Sequence, residues 1–362
     1  MHTRRTVLAA IAGAASTAVT LSACSQGKPQ SIRRDATVGI AMPTRSSERW
    51  ITDGENLVRN LKGKGYKTRL VYGDDNPDQQ ATQIRQLTSQ RVDVMVIAAI
   101  DSKGLDAPLQ KAKSAGIPII SYDRLILGTN NVDYYASFDN KQVGLLQARY
   151  IIDKLGLENG KGPFNIELFA GSEDDNNTKL FFNGAMELLQ PYLDSDKLTV
   201  RSGQTELRQI TTVRWDGVAA HKRMVEILDK SYGGRRVDAI LSPYDGISIG
   251  ALRALKESGY GSSGKALPII TGQDAELASI KSIIAGEQSQ TVYKDLRKLA
   301  VVAADMVNSV LLGISPSIND FNSYNNGIKN VPANLLQPIS VDKSNYKSVL
   351  IGGGFYSAAE LK

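Results

Sequence analysis

The chain contains only two tryptophans, and each directly follows an arginine, as Arg49-Trp50 and as Arg214-Trp215. A tryptophan face can cover the apolar C–H surface of a ring-shaped ligand and exclude water. An arginine beside it supplies several donors for charge-assisted hydrogen bonds. The two pairs are therefore candidates for opposite walls of one binding cleft.

Further polar side chains follow the apolar, β-rich runs of the chain. In chain order they are Asp123 and Arg124, Asp175 and Asn177, Tyr244 and Asp245, and Gln273 and Asp274. In open parallel sheets, ligands bind beyond the carboxyl ends of the strands. These side chains are therefore expected to meet in the cleft that carries the tryptophans.

The expected ligand is a neutral polyol. Neither GxGxxG nor GxxxxGK[ST] follows any of the predicted strands, which disfavours a phosphate ligand. Asp74, Asn76 and Asp78 have the spacing of a calcium loop, but Gln79 stands where that loop requires glycine. The sequence predicts no metal site and no cofactor.

Several candidates also have a purely structural interpretation. Asp175 and Asn140 directly precede predicted helices and could be N-caps, which stays open for Asp175 and is favoured for Asn140. Trp50 could pack in a core, although its neighbours Glu48 and Arg49 favour a polar setting. Tyr122 is interpreted as a core residue.

The hydrophobic pattern predicts two successive series of parallel strands and helices. The predicted strands of the first series are 37–42, 68–73, 92–100 and 117–123. The pattern repeats after 132–139, with predicted strands 164–171, 198–204, 237–245 and 267–275. Amphipathic stretches between them predict helices, among them one from Asn176 to Leu189. The predicted fold is α/β, with two doubly wound Rossmann-like lobes.

The N-terminus has the layout of an export signal. Arg4 and Arg5 precede a short apolar run that ends in Leu-Ser-Ala-Cys, and Cys24 is the single cysteine of the chain. This predicts a lipoprotein signal peptide over 1–23, a lipid anchor on Cys24 and a polar tether over 24–34. Twin-arginine and general export both remain open.

Composition is that of an ordinary globular protein, with 42% hydrophobic and 22% charged residues. Without Arg4 and Arg5 the 43 basic residues fall to 41 against 37 acidic ones, a formal charge of +4. Because basic runs with interleaved aromatics are lacking, nucleic acid is not expected as a partner.

The chain resembles the periplasmic monosaccharide-binding receptors of ABC importers. The resemblance lies in GIAMPTRSSERW, SYDRLI, SFDNKQVG, GPFNIELFAGSEDDNN, VRWD, LSPYDGISIG, TGQDAELASIKSIIAGEQ and TVYK, in this order. It is strongest to the multiple-sugar-binding receptors of plant-associated bacteria and extends to the xylose-binding receptors. It implies the periplasmic-binding-protein type I fold, in which three crossovers form a hinge.

The resemblance also implies lobe boundaries. The first lobe would comprise 35–139 and 295–330, and the second 140–294 and 331–362. The three crossovers would lie near 138–140, near 292–294 and near Asn330.

By the same resemblance, the ligand-binding residues would be Arg49, Trp50, Asp123, Arg124, Asp175, Asn177, Trp215, Asp245, Asp274 and Lys294. Trp50 and Trp215 would be the two stacking walls, and Lys294 would lie beside the hinge. Pentose receptors have asparagine where this chain has Tyr244 before Asp245. The multiple-sugar receptors share the tyrosine, which favours a broad aldose ligand of xylose, glucose, galactose or arabinose type.

The implied function is that of a monomeric, lipid-anchored, extracytoplasmic receptor that is not an enzyme and delivers sugar to ABC permease subunits. Two alternatives stay open. One is a sensor that presents sugar to a membrane receptor kinase. The other is a glycoside hydrolase, for which Asp123 with Asp175 or Asp274 could form the pair of carboxylates.

Overall fold

A computed structural model describes residues 35–262 and 264–362. The predicted signal peptide, the tether and Cys24 lie outside the described residues. The strands are β1 Thr37–Met42, β2 Lys67–Tyr72, β3 Val94–Ile97, β4 Ile119–Tyr122, β5 Tyr134–Phe138, β6 Phe164–Leu168, β7 Leu198–Thr199, β8 Ala239–Leu241, β9 Ile269–Ile270, β10 Gln290–Tyr293, β11 Ala333–Leu336 and β12 Ile339–Asp342.

The α-helices alternate with these strands. They are α1 Glu48–Gly63, α2 Pro77–Ser89, α3 Asp106–Ser114, α4 Asn140–Leu155, α5 Asn176–Asp194, α6 Leu207–Ile210, α7 Gly217–Ile227, α8 Asp245–Glu257, α9 Leu277–Ala285 and α10 Leu296–Leu311. In the part of the chain that is described, no helix is both long and apolar enough to cross a bilayer.

The first lobe is built on a six-stranded parallel sheet of order β11-β5-β4-β3-β1-β2. Its central strands are uniformly apolar because helices cover both faces of the sheet. In β3, for example, all four residues of VMVI are buried. Helices α1 and α10 pack on one face, where Leu57, Leu61 and Leu299 join the strand side chains in one core.

The second lobe has a four-stranded parallel sheet of order β7-β6-β8-β9 and an antiparallel ladder of β10 with β12. The predicted alternation of strands and helices is therefore confirmed in both lobes. The strands of this lobe are shorter than predicted, since β7 covers Leu198–Thr199 within the predicted 198–204. Helix α5 begins at Asn176 as predicted and continues to Asp194.

The chain passes between the lobes three times. The first two passages lie between Phe138 and Asn140 and just after β10, close to where the sequence suggests them. The third differs from the prediction. Strand β11 pairs in parallel with β5, so 333–336 lie in the first sheet and the passage falls between Leu336 and Ile339. A short strand at a sheet edge has too weak a pattern to show which sheet it joins.

Helices α4 and α5 are packed unusually closely at Gly144. A Cβ at Gly144 would lie 2.0 Å from the carbonyl oxygen of Phe181, and one at Gly184 would lie 2.2 Å from that of Lys141. Only glycine allows this backbone approach. The contact fixes the start of α5, and with it Asp175 and Asn177, relative to the first passage between the lobes.

Candidate functional site

Residues at the carboxyl ends of strands from both lobes line one cavity of about 710 Å³. The structure brings nine of the ten predicted site residues to it: Arg49, Trp50, Asp123, Arg124, Asp175, Asn177, Trp215, Asp274 and Lys294. The first four come from the segments after β1 and β4 in the first lobe. The others come from the second lobe and from the passage after β10.

The structure does not bring Asp245 to the cavity. Asp245 is the first residue of α8 and is 0% exposed. Its carboxylate accepts hydrogen bonds from the Gln288 amide (2.9 Å), the Glu276 backbone (2.9 Å) and the Thr291 hydroxyl (3.1 Å). Tyr244 lines the cavity in its place. The expectation for Asp245 is therefore corrected, because its carboxylate joins the interior of the lobe and Tyr244 occupies the wall.

Arg49 is the centre of a buried ion cluster. Its Nη2 donates to Oδ2 of Asp123, and its Nη1 lies 3.2 Å from Oδ2 of Asp274. Its Nε faces Oδ2 of Asp53 at 3.5 Å. The side chain is only 9% exposed, so these contacts are shielded from water and stronger than surface ion pairs. One guanidinium thus spans the cleft, from Asp123 in the first lobe to Asp274 in the second.

Lys294 is the second cation of the cluster. Its side chain is 1% exposed, and Nζ lies 3.1 Å from Oδ1 of Asp274 and 3.8 Å from Oδ2 of Asp123. The rings of Phe138 and Phe181 stand 5.9 and 5.8 Å from Nζ. Lys294 therefore places a charge between two carboxylates in otherwise apolar surroundings.

These cations keep Asp123 ionised. Burial alone would raise the pKa of Asp123, but Arg49, Lys294 and Arg124 together lower it below its ordinary value. An ionised carboxylate only accepts hydrogen bonds, so Asp123 is suited to hydroxyl donors.

Asp175 is the N-cap of α5 and also lines the cavity. Its carboxylate accepts from the backbone N–H of Asn177 at 2.9 Å, as the N-cap of α5. Its other oxygen lies 2.8 Å from Nε of Arg124, which joins the two lobes. Burial raises the pKa of Asp175, although Arg124 opposes the rise. The cap of the α4 helix is Asp139, not Asn140, which is the first helical residue.

Asn177 takes part in a buried hydrogen-bond network between the lobes. Its Nδ2 donates to the backbone oxygen of Asp123 at 3.1 Å, and its Oδ1 accepts from Nδ2 of Asn140 at 3.0 Å. Asn140 therefore orients Asn177 rather than capping a helix.

The two tryptophans differ in their surroundings. Trp50 lines the cavity but is 4% exposed and joins the core of the first lobe. The guanidinium carbons of Arg49 and Arg124 lie 4.4 and 5.1 Å from the centre of its ring. Trp50 thus supports both arginines by cation–π contact in addition to lining the cleft.

Trp215 is half-buried in the opposite wall. Its ring lies edge-on to Phe181 and Tyr244, with centroid distances of 6.1 and 6.0 Å. Arg214 and Trp215 both have positive φ, at 53° and 59°. Such backbone conformations in residues other than glycine are sparsely populated and cluster at functional sites. Gly171 leaves the space for this ring, since a Cβ there would lie 2.0 Å from it.

Two residues that sequence reasoning did not place in the site belong to it or support it. Phe181 lines the cavity, and Asp53 lies behind Arg49. Tyr244 and Gln273, which were expected in the cleft, also line the cavity. The spacing of Arg49 and Asp53 by four residues on one helix could have revealed their pairing. Phe181 gives no such signal, because its helical period marks it only as a core residue.

Among the residues that the structure describes, several buried polar atoms of the cleft have no hydrogen-bond partner. They are Nε1 of Trp215, Oε1 of Gln273, Oδ1 of Asp274 and Nζ of Lys294. Nζ of Lys294 is close to Asp274, but the angle is not that of a hydrogen bond. Leaving buried polar groups unpaired is costly. These two donors and two acceptors belong to residues that line the cavity.

The cluster is not suited to a metal ion. Among residues 35–262 and 264–362, no three or more His, Cys, Asp or Glu side chains are grouped so that they could hold one. The carboxylates of Asp123 and Asp274 face Arg49 and Lys294 instead.

Known proteins share this architecture. A family model described as a periplasmic binding protein domain matches residues 38–315. The multiple sugar-binding periplasmic protein of Azospirillum brasilense is 57% identical over 326 residues, which cover 90% of this chain and 91% of that protein. The D-xylose-binding periplasmic protein of Escherichia coli (strain K12) is 35% identical over 330 residues, covering 91% of this chain and 93% of that protein.

A solved structure is similar over the same extent. It is an ABC transporter solute-binding protein from Clostridium phytofermentans with bound β-D-glucose, which aligns with a TM-score of 0.87 and 40% identity. The alignment covers 90% of this chain and 100% of that chain, so the similarity includes both lobes and the cleft.

Proposed function

The chain belongs to the periplasmic binding protein family, and from that premise we propose that it is an extracytoplasmic receptor for an aldose monosaccharide. The sugar binds between the lobes and is delivered to an ABC sugar permease. The relatives that support this are a multiple sugar-binding protein, a D-xylose-binding protein and a solute-binding protein that holds β-D-glucose.

The single observation that carries the proposal is the ion cluster that joins the lobes at the cleft. Arg49 lies within reach of Asp123 on one side and Asp274 on the other. A neutral sugar offers hydroxyl groups that both donate and accept, and its hydrogen bonds to these charged groups are of the stronger, charge-assisted kind. The cluster is therefore complementary to a polyol, whereas a phosphate would meet several carboxylates.

Binding is coupled to closure. Because each lobe holds only half of the site, a sugar that touches both halves binds the closed state better than the open state and shifts the equilibrium towards it. A micromolar Kd corresponds to about −8 kcal/mol, and several charge-assisted bonds with one stacked ring can supply this after the ordering costs.

The test is isothermal titration calorimetry of residues 25–362 with D-glucose, D-galactose, D-xylose, L-arabinose, D-ribose and L-fucose. We expect tight binding of several pyranose aldoses and loss of that binding in Asp274→Ala. The matched control is Asp305→Ala, which removes a carboxylate from the exposed pair with Lys64. Absence of heat with all six sugars would overturn the proposal.

Membrane attachment and transport are further parts of the proposal. A lipid on Cys24 would keep the receptor near its permease, and two acyl chains would be needed for firm anchoring because one chain binds a bilayer only marginally. The receptor acts as a monomer in this scheme. Metabolic labelling with a palmitate analogue, compared between the unaltered chain and Cys24→Ala, tests the anchor.

The alternatives make different predictions. A sensor would bind the same sugars but would leave sugar uptake unchanged when its gene is deleted. A hydrolase would release reducing sugar from aryl glycosides. Binding is favoured over hydrolysis because the relatives are sugar-binding and solute-binding proteins.

A further inference from the structure

Asp53 is a buried carboxylate that stands behind Arg49 and outside the cavity lining. It is 0% exposed, its Oδ1 accepts from the Tyr122 hydroxyl at 2.6 Å, and its Oδ2 faces Nε of Arg49 at 3.5 Å. Resting on the proposed function, we propose that Asp53 is a positioning residue. It orients Arg49 towards the ligand and takes up a proton when the lobes close on the sugar.

The positioning role follows from how the guanidinium is used. Nη1 and Nη2 of Arg49 contact Asp274 and Asp123. Because the guanidinium is planar, a contact to the remaining nitrogen, Nε, fixes the orientation of the guanidinium plane. Nε of Arg49 and Oδ2 of Asp53 face each other at 3.5 Å, and within residues 35–262 and 264–362 neither atom has a hydrogen-bond partner. The Tyr122 hydroxyl, from the end of β4, holds the opposite oxygen of Asp53. Asp53 is therefore fixed from one side and directs the arginine from the other.

The proton follows from the charge balance of the cluster. The cluster holds four carboxylates against three cations: Asp53, Asp123, Asp175 and Asp274 against Arg49, Arg124 and Lys294. A neutral sugar adds no charge that could compensate the excess. An unbalanced charge away from water is costly, and a proton on one carboxylate removes it.

Asp53 is the carboxylate best suited to hold that proton. Burial raises its pKa to about 7, against the lowering effects of Arg49 and of the Tyr122 hydroxyl. The value of about 7 already includes a raising effect of the Asp123 charge and a lowering effect of Lys294. Tyr72, at the end of β2, is a further titratable group close enough for the charge of Asp53 to raise its pKa. Asp123, in contrast, is held ionised by three cations.

The direction of the pH effect follows from closure. When the lobes close, water leaves the cluster and the charged form of Asp53 becomes less favourable. The pKa of Asp53 is then higher in the closed state than in the open state, so binding takes up a proton. We therefore expect sugar affinity to be greatest at acid pH and to fall as pH rises through the neutral range.

The experiment is calorimetric titration with D-glucose at about pH 5.5, 7 and 8.5, in buffers of different ionisation enthalpy so that proton uptake is counted. Asp53→Asn keeps the shape of the protonated acid and can still accept from Arg49. We expect its affinity to be independent of pH and its binding to take up no proton. Glu55→Gln, at an exposed position on the same helix, is the matched control and should keep the pH profile of the unaltered chain.

Two further variants separate positioning from folding. Asp53→Ala should bind D-glucose at least tenfold more weakly at every pH. Tyr122→Phe removes a hydrogen bond that lowers the pKa of Asp53, so the midpoint of its pH profile should move to higher pH. Thermal unfolding identifies any variant that fails to fold. If an Asp53 variant fails to fold, the shift of the pH midpoint in Tyr122→Phe tests the inference.

The inference would be overturned if the D-glucose affinity of the unaltered chain did not change with pH, or if the affinity of Asp53→Asn changed with pH to the same extent. Either result would leave sugar binding itself intact. Absence of D-glucose binding by the unaltered chain at every pH would instead count against the proposed function, and the remaining aldoses would test it.

Discussion

Nη1 of Arg49 in the first lobe and Oδ2 of Asp274 in the second lobe lie 3.2 Å apart across the cleft. The two residues are separated by 225 positions in the chain. The pair is a direct link between the lobes, and it lies where the ligand is proposed to bind. Sugar binding and closure therefore depend on the same atoms.

Asp274→Asn should weaken sugar affinity by at least tenfold. The variant keeps the shape of the side chain but removes the charge that strengthens hydrogen bonds to hydroxyls, a change of about 1.5–3 kcal/mol. Calorimetric titration measures it, with Asp305→Asn as the surface control. An unchanged Kd would show that Asp274 serves the protein interior and not the ligand.

Gly171→Ala should displace Trp215 and reduce affinity without unfolding the lobe. An alanine Cβ would lie 2.0 Å from Cη2 of the tryptophan, which leads the half-buried ring to shift. Gly63→Ala is the control, because a Cβ at that helical position meets nothing within 4 Å. Tryptophan fluorescence and titration with D-glucose check both variants. If Gly171→Ala bound sugar normally, Trp215 would not be a wall of the site.

Asp175→Asn should separate the two roles of this residue. Asparagine caps helices about as well as aspartate, so the cap itself should contribute less than about 1 kcal/mol to any change in the free energy of unfolding. The ion pair with Arg124 is lost, and sugar affinity should fall because the arginine is no longer fixed. The control is Asp139→Asn, a cap of α4 that does not line the cavity. Equal losses of sugar affinity in Asp175→Asn and Asp139→Asn would contradict a role of Asp175 in fixing Arg124 for the ligand.

The contribution of Asp123 to stability should disappear in acid. Its pKa is lowered on folding, so its ionised form stabilises the folded state above the ordinary value of 3.8. That contribution falls as pH drops through the lower, folded value. We expect the difference in free energy of unfolding between the unaltered chain and Asp123→Asn to be constant near neutral pH and to shrink below about pH 4. Urea unfolding at several pH values measures it, and a difference that persists in acid would contradict the assignment.

Much of the fold could be predicted because the strands and helices of both lobes are marked by patterns of neighbouring residues. Strands buried on both faces give continuous apolar runs, as in VMVI of β3, and helix α5 begins where its cap predicts. Parallel sheets place ligands at one edge, so Arg49, Asp123 and Asp274 could be assigned to one cleft before any contact was known.

The tertiary structure alone decided which atoms meet. The sequence shows that Tyr244 and Asp245 follow a strand, but the start of α8 turns the Asp245 carboxylate to Gln288 and Thr291 and leaves Tyr244 at the wall. A pattern of polar and apolar residues does not specify the direction in which a single side chain points. Backbone geometry and the partners available within about 3 Å set that direction.

The same limit applies to Asp53 and to strand β11. The i, i+4 spacing suggests a pair of Arg49 with Asp53, but the burial that raises the pKa of the carboxylate arises from packing by distant segments such as β4. Strand β11 is too short for its sequence to indicate which sheet it joins. Its pairing with β5 assigns it to the first lobe. The sequence by itself thus determined the elements and the edge at which the site forms. Long-range packing determined the charge balance and the orientation of the groups within it, because both depend on neighbours remote in the chain.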